Sequence, residues 1–241
     1  MNFRALLAAL ALLPAQLLAQ TAAPSAKQPP RTEEAAITPV QKDPKRHQAF
    51  LDRIKQGSID LLFIGDSITD HWSDVGKSSW LKFNDLHPAN FGVSADRTEH
   101  VLWRLGHGEL DGIHPKLAVV LIGTNNFGHN PDERPEWAAK GVKKIIDQLR
   151  KKLPDTKILL LAIFPRGRAA DPIRARIDAC NKIIATCANG KSIRFLDVGK
   201  VFLDESGEIP FEIMPDKLHP SPLGYDRWYD AIRPAIDEMM K

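Results

Sequence analysis

A serine, an asparagine and a histidine of this chain stand in loop-like settings where their side chains could do chemistry. Ser67 lies in Gly65-Asp66-Ser67-Ile68, directly after an apolar run. A serine on such a turn acts as a nucleophile when a base lies beside it. The same turn is also an ordinary helix cap, because Asp and Ser both accept hydrogen bonds from the first helical amides. This block alone does not decide between the two interpretations.

Asp216 and His219 form a second candidate pair, just before the last helical stretch. A carboxylate three residues before a histidine can orient the imidazole and stabilise its protonated form. The alternative is an exposed turn with an incidental ion pair. We interpret the other seven of the eight histidines as surface or packing residues.

Asn125 and Gly92 are candidates for stabilising negative charge. Asn125 follows an apolar run, and a side-chain amide at a strand end can donate to a developing oxyanion. Gly92 follows a short apolar stretch, and a glycine there allows the backbone to approach a reacting group closely. Taken alone, each block is more typical of a turn.

The elements that must position these blocks alternate between strands and helices. Continuous apolar runs predict buried strands, and apolar residues at helical spacing predict helices. The predicted strands are residues 59–64, 88–91, 117–122, 158–164 and 193–198, and the predicted helices are residues 98–105, 135–153, 172–188 and 222–240. This alternation predicts a doubly wound α/β fold, in which ligands bind at the carboxyl ends of the strands.

Taken together, these blocks resemble the four sequence blocks of the SGNH (GDSL-like) hydrolases. In chain order they contain Ser67, Gly92, Asn125, and Asp216 with His219. The resemblance to the platelet-activating-factor acetylhydrolase catalytic-subunit-like esterases of that family extends over residues 90–96, 100–105, 108–110, 123–126 and 165–167. The resemblance runs from about residue 50 to the C-terminus. With the alternation of elements, it implies a three-layer α/β/α domain with a flavodoxin-like five-stranded parallel sheet in the order 2-1-3-4-5.

The resemblance also implies a role for each site residue. Ser67 would be the nucleophile, and His219, oriented by Asp216, would be the general base and acid. The Ser67 N–H, the Gly92 N–H and the Asn125 side chain would form an oxyanion hole. No metal or organic cofactor is expected.

Four residues depart from patterns in the family. Ile68 replaces the leucine of the G-D-S-L signature, and Asn126 stands where many relatives have Asp. Ser94 and Ala95 stand where the acetylhydrolase-like subfamily has two glycines. We expect their side chains to narrow the acyl pocket or reshape its loop.

The first residues have the layout of a secretory signal peptide. Arg4 precedes an apolar run over residues 5–19, and small and polar residues follow. A membrane anchor is the alternative, but the run is shorter than the ~20 residues that a span needs. We therefore predict a signal peptide at 1–20, a flexible linker at 21–45, a hydrolase domain at 46–241, and export to the periplasm or the exterior.

Composition limits the partners and the cysteine chemistry. A hydrophobic content of 43% and a net charge of +3 are ordinary for a soluble domain. The sequence has no cluster of Lys and Arg residues of the kind that binds nucleic acid, so no nucleic-acid partner is expected. No stable membrane span is expected either. Cys180 and Cys187 lie on one predicted helix, too far apart for a disulfide, so two free thiols are expected. A homodimer is left open.

The predicted function is a serine esterase for short-chain, acetyl esters, with acetylated carbohydrates as the first choice of substrate. Three alternatives remain open from the residues: a lipid or lysophospholipid esterase, an acyltransferase that shares the acyl-enzyme, and a catalytically silent binding module of the same fold.

Overall fold

A parallel sheet forms the centre of the computed structural model, which describes residues 30–241. Its strands are β1 (Leu61–Gly65), β2 (Pro88–Gly92), β3 (Leu117–Leu121), β4 (Lys157–Leu161) and β5 (Ile193–Leu196). All neighbouring strands pair in parallel, in the order β2-β1-β3-β4-β5. The predicted order 2-1-3-4-5 is therefore confirmed.

Helices cover both faces of the sheet. They are α1 (Glu33–Ile37), α2 (Pro44–Ile54), α3 (Ser67–Asp70), α4 (Lys77–Trp80), α5 (Thr98–Gly106), α6 (Thr124–His129), α7 (Pro135–Lys152), α8 (Pro172–Ile184) and α9 (Pro222–Met239). The four helices predicted from periodicity correspond to α5, α7, α8 and α9. Within the described residues, no helix is long and apolar enough to cross a membrane.

Two apolar cores lie on opposite faces of the sheet and explain why the strands are continuously apolar. Leu62 and Ile64 of β1 contribute to one core, whereas Leu61 and Phe63 contribute to the other. The first core also contains residues of α5, α7 and α8, and the second contains residues of α9. Successive side chains of a strand point to opposite faces, so a strand buried on both faces must be apolar throughout. These are the three predicted layers.

Strand register brings the carboxyl ends of three strands side by side. Gly65, at the end of β1, is the register partner of Gly92 in β2 and of Leu121 in β3. The loops that follow these strands therefore begin at one edge of the sheet. Ser67, residues 93–97 and Asn125 all lie just beyond that edge.

The segment before the domain differs from its prediction. Residues 30–45 were expected to belong to a flexible linker, but α1 packs on the domain and buries Ala36 and Ile37. Arg31 also pairs with Glu99 and Glu133 of the domain. The linker prediction is therefore wrong for this part, because these ion pairs and the two apolar residues hold it in place. The predicted signal peptide and residues 21–29 lie outside the described residues.

Both cysteines are free, as expected. Cys180 is buried in α8, and burial raises the pKa of its thiol to about 12. Cys187 lies in a separate 3₁₀ turn, Ala185–Cys187, because α8 ends at Ile184 rather than at residue 188.

Candidate active site

Ser67 occupies the first position of α3, immediately beyond the end of β1. Asp66 caps this helix, since its Oδ1 accepts a hydrogen bond from the Ile68 amide at 3.0 Å. Gly65 allows the sharp turn, because a Cβ at this position would overlap the Thr69 side chain and lie 2.5 Å from the Leu121 carbonyl. Ser67 itself is 6% exposed. The turn thus presents a nearly buried hydroxyl at the edge of the sheet.

Ser67, His219 and Asp216 form a continuous hydrogen-bonded chain. Ser67 Oγ lies 2.9 Å from His219 Nε2, and His219 Nδ1 lies 2.6 Å from Asp216 Oδ2. With Nδ1 protonated and donating to the carboxylate, Nε2 is free to accept the serine proton. The sequence predicted these contacts from three residues spread over 152 positions of the chain.

Asp216 is held as a carboxylate by the loop it belongs to. Its Oδ1 accepts hydrogen bonds from the amides of Leu218 at 3.0 Å and of His219 at 2.7 Å. Burial alone would raise the pKa of Asp216, but the hydrogen bonds from the His219 amide and imidazole, together with the charge of that ring, lower it below its ordinary value. An ionised Asp216 is what an imidazolium at His219 needs as its partner.

A neighbouring loop fixes the position of the Asp216–His219 turn. The Gly167 amide donates to the Lys217 carbonyl at 2.9 Å. Arg174 in turn donates to the carbonyls of Arg166 at 2.9 Å and Gly167 at 3.0 Å. The loop after β4 is therefore held by α8, and through the Gly167–Lys217 hydrogen bond it stabilises the turn that carries His219.

Asn125 lies on α6, close to the loop that follows β2. Its Nδ2 donates to the Asp96 carbonyl at 3.0 Å, and the residue is 4% exposed. A side-chain amide carries two N–H groups, so one remains for another acceptor. The helix begins after Gly123, whose φ of 127° is strained for any residue with a side chain.

Gly92 does not supply the amide that the sequence predicted. Its N–H already donates to Asn90 Oδ1 at 2.9 Å. A Cβ on Gly92 would overlap the backbone of α3, lying 2.7 Å from the Thr69 carbonyl carbon. The glycine is thus explained by close packing of β2 against α3, and the expectation that its amide faces an oxyanion is wrong.

Sequence comparison agrees with this geometry. The profile of the GDSL-like Lipase/Acylhydrolase family matches residues 63–227. The chain belongs to this family. Human platelet-activating factor acetylhydrolase IB subunit alpha1 is 33% identical over 207 residues, which cover 83% of this chain and 87% of the relative. The family identifies the chain as a carboxylic-ester hydrolase.

Solved structures share the fold of this acylhydrolase. A GDSL-like lipase from Bacteroides thetaiotaomicron has a TM-score of 0.62 at 20% identity, over 80% of this chain and 97% of the other. A catalytic mutant of an acetylxylan esterase from Geobacillus stearothermophilus has a TM-score of 0.59 at 20% identity, over 74% of this chain and 95% of the other. At this level of identity, the likeness concerns the fold alone.

The backbone amide of Ala95 is a feature of this acylhydrolase that the sequence analysis, which considered only the Ala95 side chain, missed. Ala95 lies in a turn closed by the Asp96 amide, which donates to the Val93 carbonyl at 3.0 Å, and its φ is 62°. Among the described residues, the Ala95 amide has no hydrogen-bond acceptor. The available signal was the glycine that the acetylhydrolase-like subfamily has here, since glycine marks a turn with positive φ.

Of the two expectations for the Ser94 side chain, narrowing the acyl pocket or reshaping its loop, its contacts favour the second. The residue is exposed, and its Oγ donates to Asp70 Oδ2 at 2.9 Å. The side chain therefore points toward α3 and ties the turn after β2 to it.

A buried ionic network supports this turn from below. Arg104 donates to Asp96 at 2.9 Å, to Glu109 at 2.5 Å and to the Phe91 carbonyl at 3.3 Å. Burial raises the pKa of Asp96, and the charges of Arg104 and Lys42 offset only part of that effect. Because the Arg104 guanidinium holds both carboxylates and a strand end, it fixes the start of the turn.

Asp66 is the most perturbed carboxyl group beside Ser67. It is 1% exposed, and its Oδ2 has no hydrogen-bond partner among the described residues. Burial raises its pKa to about 7, against the hydrogen bond from Ile68 that lowers it. Asp66 is therefore an N-cap that can carry a proton near neutral pH.

Within residues 30–241, no group of three His, Cys, Asp or Glu side chains is placed to hold a metal ion.

Proposed function

We propose that this protein is a serine esterase that hydrolyses short-chain, acetyl esters through an acyl-enzyme. The observation that carries the proposal is the hydrogen-bonded chain from Ser67 Oγ through His219 to Asp216, at 2.9 and 2.6 Å. A hydroxyl, a base and an orienting carboxylate in this arrangement are what nucleophilic attack on an ester requires.

The first half of the reaction forms the acyl-enzyme. Ser67 Oγ attacks the ester carbonyl carbon while His219 Nε2 takes its proton. Asp216 stabilises the resulting imidazolium. The tetrahedral intermediate then collapses: the ester C–O bond breaks, His219 gives its proton to the departing alcohol, and the acyl group remains on Ser67.

The second half releases the acid. Water attacks the acyl-enzyme carbonyl as His219 takes a proton from it. The bond to Ser67 Oγ then breaks, and His219 returns the proton to the serine. The carboxylic acid leaves, and the enzyme regains its starting protonation state.

Three donors would stabilise the oxyanion in both halves. They are the Ser67 amide at the start of α3, the second Nδ2 hydrogen of Asn125, and the Ala95 amide in place of the Gly92 amide. Neither the Ser67 nor the Ala95 amide has an acceptor among the described residues. Donors that are already in place stabilise developing charge without reorganising during the reaction.

An acetyl group fits the tight surroundings of Ser67. Ser67 is 6% exposed, and the residue that follows it, Ile68, is 1% exposed, so the hydroxyl lies in packed surroundings. The human relative is named an acetylhydrolase, and the Geobacillus neighbour is named an acetylxylan esterase. Both names support acetyl esters as the substrate class.

Acetylated carbohydrates are the proposed natural substrates. This choice rests on the predicted signal peptide at residues 1–20, because an exported esterase meets acetylated polysaccharides. Lipid esters are the second choice, favoured by the same human relative, whose name refers to platelet-activating factor.

The test is a kinetic comparison of wild-type protein with Ser67→Ala and Asn125→Ala, using p-nitrophenyl acetate, butyrate and octanoate. We expect Ser67→Ala to lower kcat by a factor on the order of 10³ to 10⁶. Asn125→Ala should lower it by roughly 10² to 10³, because two backbone donors remain. For the wild type, kcat/KM should fall steeply with acyl length, since a pocket discriminates by about 1 to 3 kcal/mol per unaccommodated methylene.

Each other outcome points to a different function. Near-normal rates in Ser67→Ala would reject the covalent mechanism. A kcat/KM that rises with acyl length would place lipid esters first. An inactive wild type that still binds acetylated oligosaccharides would favour the silent binding module, and a rate that rises with added sugar alcohol, giving acetylated sugar, would favour the transferase.

A further inference from the structure

Residues 31–46, which we call the N-terminal strap, run across the domain toward the candidate active site. At its start, Arg31 makes two hydrogen bonds to Glu99, at 2.9 and 3.0 Å. In its middle, the Ala36 carbonyl accepts from Thr98 Oγ1 at 2.8 Å, and the Val40 amide donates to the Glu99 carbonyl at 3.1 Å. The strap is thus attached to α5 along its length, before the matched family region begins at residue 63.

The strap reaches the turn after β2 through Lys42. Its Nζ donates a hydrogen bond to the Ser94 carbonyl and lies 3.4 Å from Asp96 Oδ1. The Ser94 carbonyl belongs to the same peptide group as the Ala95 N–H. Lys42 therefore touches one end of the peptide whose other end is the proposed oxyanion donor.

This contact constrains where the Ala95 N–H points. In a trans peptide, the carbonyl and the N–H point in opposite directions in one plane. The described residues contain no cis peptide bond. With the Ser94 oxygen directed to Lys42, the Ala95 hydrogen must point away from the strap. The Asp96 carbonyl, two residues after that of Ser94, accepts a hydrogen bond from Asn125, which places the other proposed donor on the same turn.

The contact also changes the strength of the donor. An ammonium group that donates to a carbonyl polarises the whole amide, so that its N–H becomes a better donor. The positive charge of Lys42 therefore favours negative charge at the far end of the peptide.

A second arm of the strap holds the same turn. Arg46 Nη2 donates to Asp70 Oδ1 at 2.7 Å, while Ser94 Oγ donates to the other oxygen of that carboxylate at 2.9 Å. Asp70 thus links the strap, α3 and Ser94. The Ser94–Ala95 peptide is therefore fixed in two ways: Asp70 binds the Ser94 side chain, and Lys42 binds the Ser94 carbonyl.

A purely stabilising ion pair between Lys42 and Asp96 explains the contact less well. Asp96 already pairs with Arg104 at 2.9 Å, and the Lys42 side chain is 31% exposed. A pair at 3.4 Å with one exposed partner contributes little to stability. The ion pair with Asp96 therefore does not account for the hydrogen bond from Lys42 to the Ser94 carbonyl.

We propose that Lys42 is a positioning residue of the active site, which orients and polarises the Ser94–Ala95 peptide so that the Ala95 N–H stabilises the oxyanion. The N-terminal strap then contributes a residue to the active site. This inference rests on the proposed esterase function, because it assigns a role in that reaction.

The test uses the full chain with Lys42→Met, Lys42→Arg and the control Lys45→Met. Lys45 is exposed, three positions along the same strap, and makes no side-chain hydrogen bond or ion pair with the described residues. We expect Lys42→Met to lower kcat for p-nitrophenyl acetate by roughly 10- to 100-fold, less than the loss of a whole oxyanion donor. KM should change less than about twofold, because the interaction acts in the transition state.

Two further readouts separate positioning from folding. Lys42→Arg should regain part of the lost kcat, since a guanidinium can also donate to the carbonyl. The inhibition constant of phenylboronic acid, which forms a tetrahedral adduct on a serine hydroxyl, should rise in Lys42→Met by about the same factor as kcat/KM falls. Lys45→Met should match the wild type in every measurement.

The outcomes are distinguishable. Wild-type kcat in Lys42→Met overturns the inference. So does an equal loss in Lys42→Met and Lys42→Arg that comes with a lower melting temperature and unchanged phenylboronic acid inhibition. A wild type without esterase activity, or an active Ser67→Ala, rejects the proposed function instead.

Discussion

Asp66 caps the helix that carries Ser67, while one of its own oxygens has no hydrogen-bond partner among the described residues. Its Oδ1 caps α3, and its Oδ2 is buried without a hydrogen bond among the described residues. Burial disfavours the charged form, and this accounts for the raised pKa of about 7. The folded protein therefore keeps a proton on Asp66 over a pH range in which the unfolded chain has lost it.

This proton makes stability depend on pH in a predictable direction. Between the ordinary pKa of 3.8 and about 7, the folded state binds more protons at Asp66 than the unfolded state does. The free energy of unfolding must then fall as pH rises through that window and become level above it. We expect Asp66→Asn to lack this contribution, so that its melting temperature relative to the wild type rises between pH 4 and pH 8.

The matched control is Asp155→Asn, which makes the same substitution at an exposed position. Its difference from the wild type should stay nearly constant over the same range. If Asp66→Asn and Asp155→Asn follow parallel pH profiles, Asp66 is ionised in the folded protein at low pH and the raised pKa is wrong.

The side chains of the candidate site were predictable from the sequence, but one backbone donor was not. Ser67, Asn125, Asp216 and His219 stand in a recognisable order at predicted strand ends. Whether a given amide is free depends on its local acceptors. Asn90 takes the Gly92 amide, whereas the positive φ of Ala95 leaves that amide without an acceptor among the described residues. The subfamily glycine at position 95 indicates a turn with positive φ, but it does not indicate which amide of the turn lacks an acceptor.

At the scale of elements, the packing of β2 against α3 depends on Gly92. A Cβ there would overlap the Asp70 amide nitrogen and lie 2.7 Å from the Thr69 backbone. Backbone atoms cannot rotate away as a flexible side chain can. We expect Gly92→Ala to lower the free energy of unfolding by about 1–3 kcal/mol or more, as in other overpacked sites, measured by urea denaturation.

Gly106→Ala is the comparison, because its Cβ would meet only the Gln148 side chain, at 3.4 Å. Gly106 is the last residue of α5, so alanine there should leave stability unchanged or raise it slightly. A Gly92→Ala protein as stable as Gly106→Ala would show that β2 and α3 have room to separate.

Element length decides which helices the sequence could predict. The helices α7 and α9 span 18 residues each, so their apolar periodicity is visible. In contrast, α3 has 4 residues and α6 has 6, too few for a periodic signal. These two short helices carry Ser67 and Asn125, which explains why the site residues were first interpreted as lying in loops.

On the scale of the whole molecule, Arg31 joins the strap to α5 and to the loop before α7, which are distant in sequence. It pairs with Glu99 and with Glu133, which lie 68 and 102 positions away, and its side chain is only 9% exposed. Residues 21–45 have the composition of a linker. None of the residues that pair with Arg31 is near it in sequence, so the local sequence does not show that this segment is attached to the domain. Ion pairs over such separations cannot be inferred from a window of sequence.

Removing Arg31 should therefore destabilise the protein. In Arg31→Met, Glu133 is left buried without its cation, while Glu99 keeps the hydrogen bond from Arg97 at 2.6 Å. We expect a loss of about 3 kcal/mol in the free energy of unfolding, at the low end for a broken buried pair. Urea denaturation at neutral pH provides the measurement.

Lys140→Met serves as its control, since Lys140 pairs with Glu33 of the same strap at an exposed position, 48% and 45% exposed. This change should cost less than about 1 kcal/mol. Equal losses for the two variants would mean that Arg31 contributes no more than a surface pair.

The hydrogen bond between Ser67 and His219 spans 152 positions and so has a consequence for the order of folding. At a synthesis rate of roughly 5–20 residues per second, the serine leaves the ribosome about 8 to 30 s before the histidine. On the proposed mechanism, the nascent chain therefore carries the nucleophile without its base throughout that interval. The same proposal predicts that, in refolding, catalysis returns only when the turn before α9 has docked beside β1. We therefore expect the recovery of esterase activity to lag behind the recovery of spectroscopic signals from the sheet. The rate at which hydrolysis returns would then report the last step of assembly.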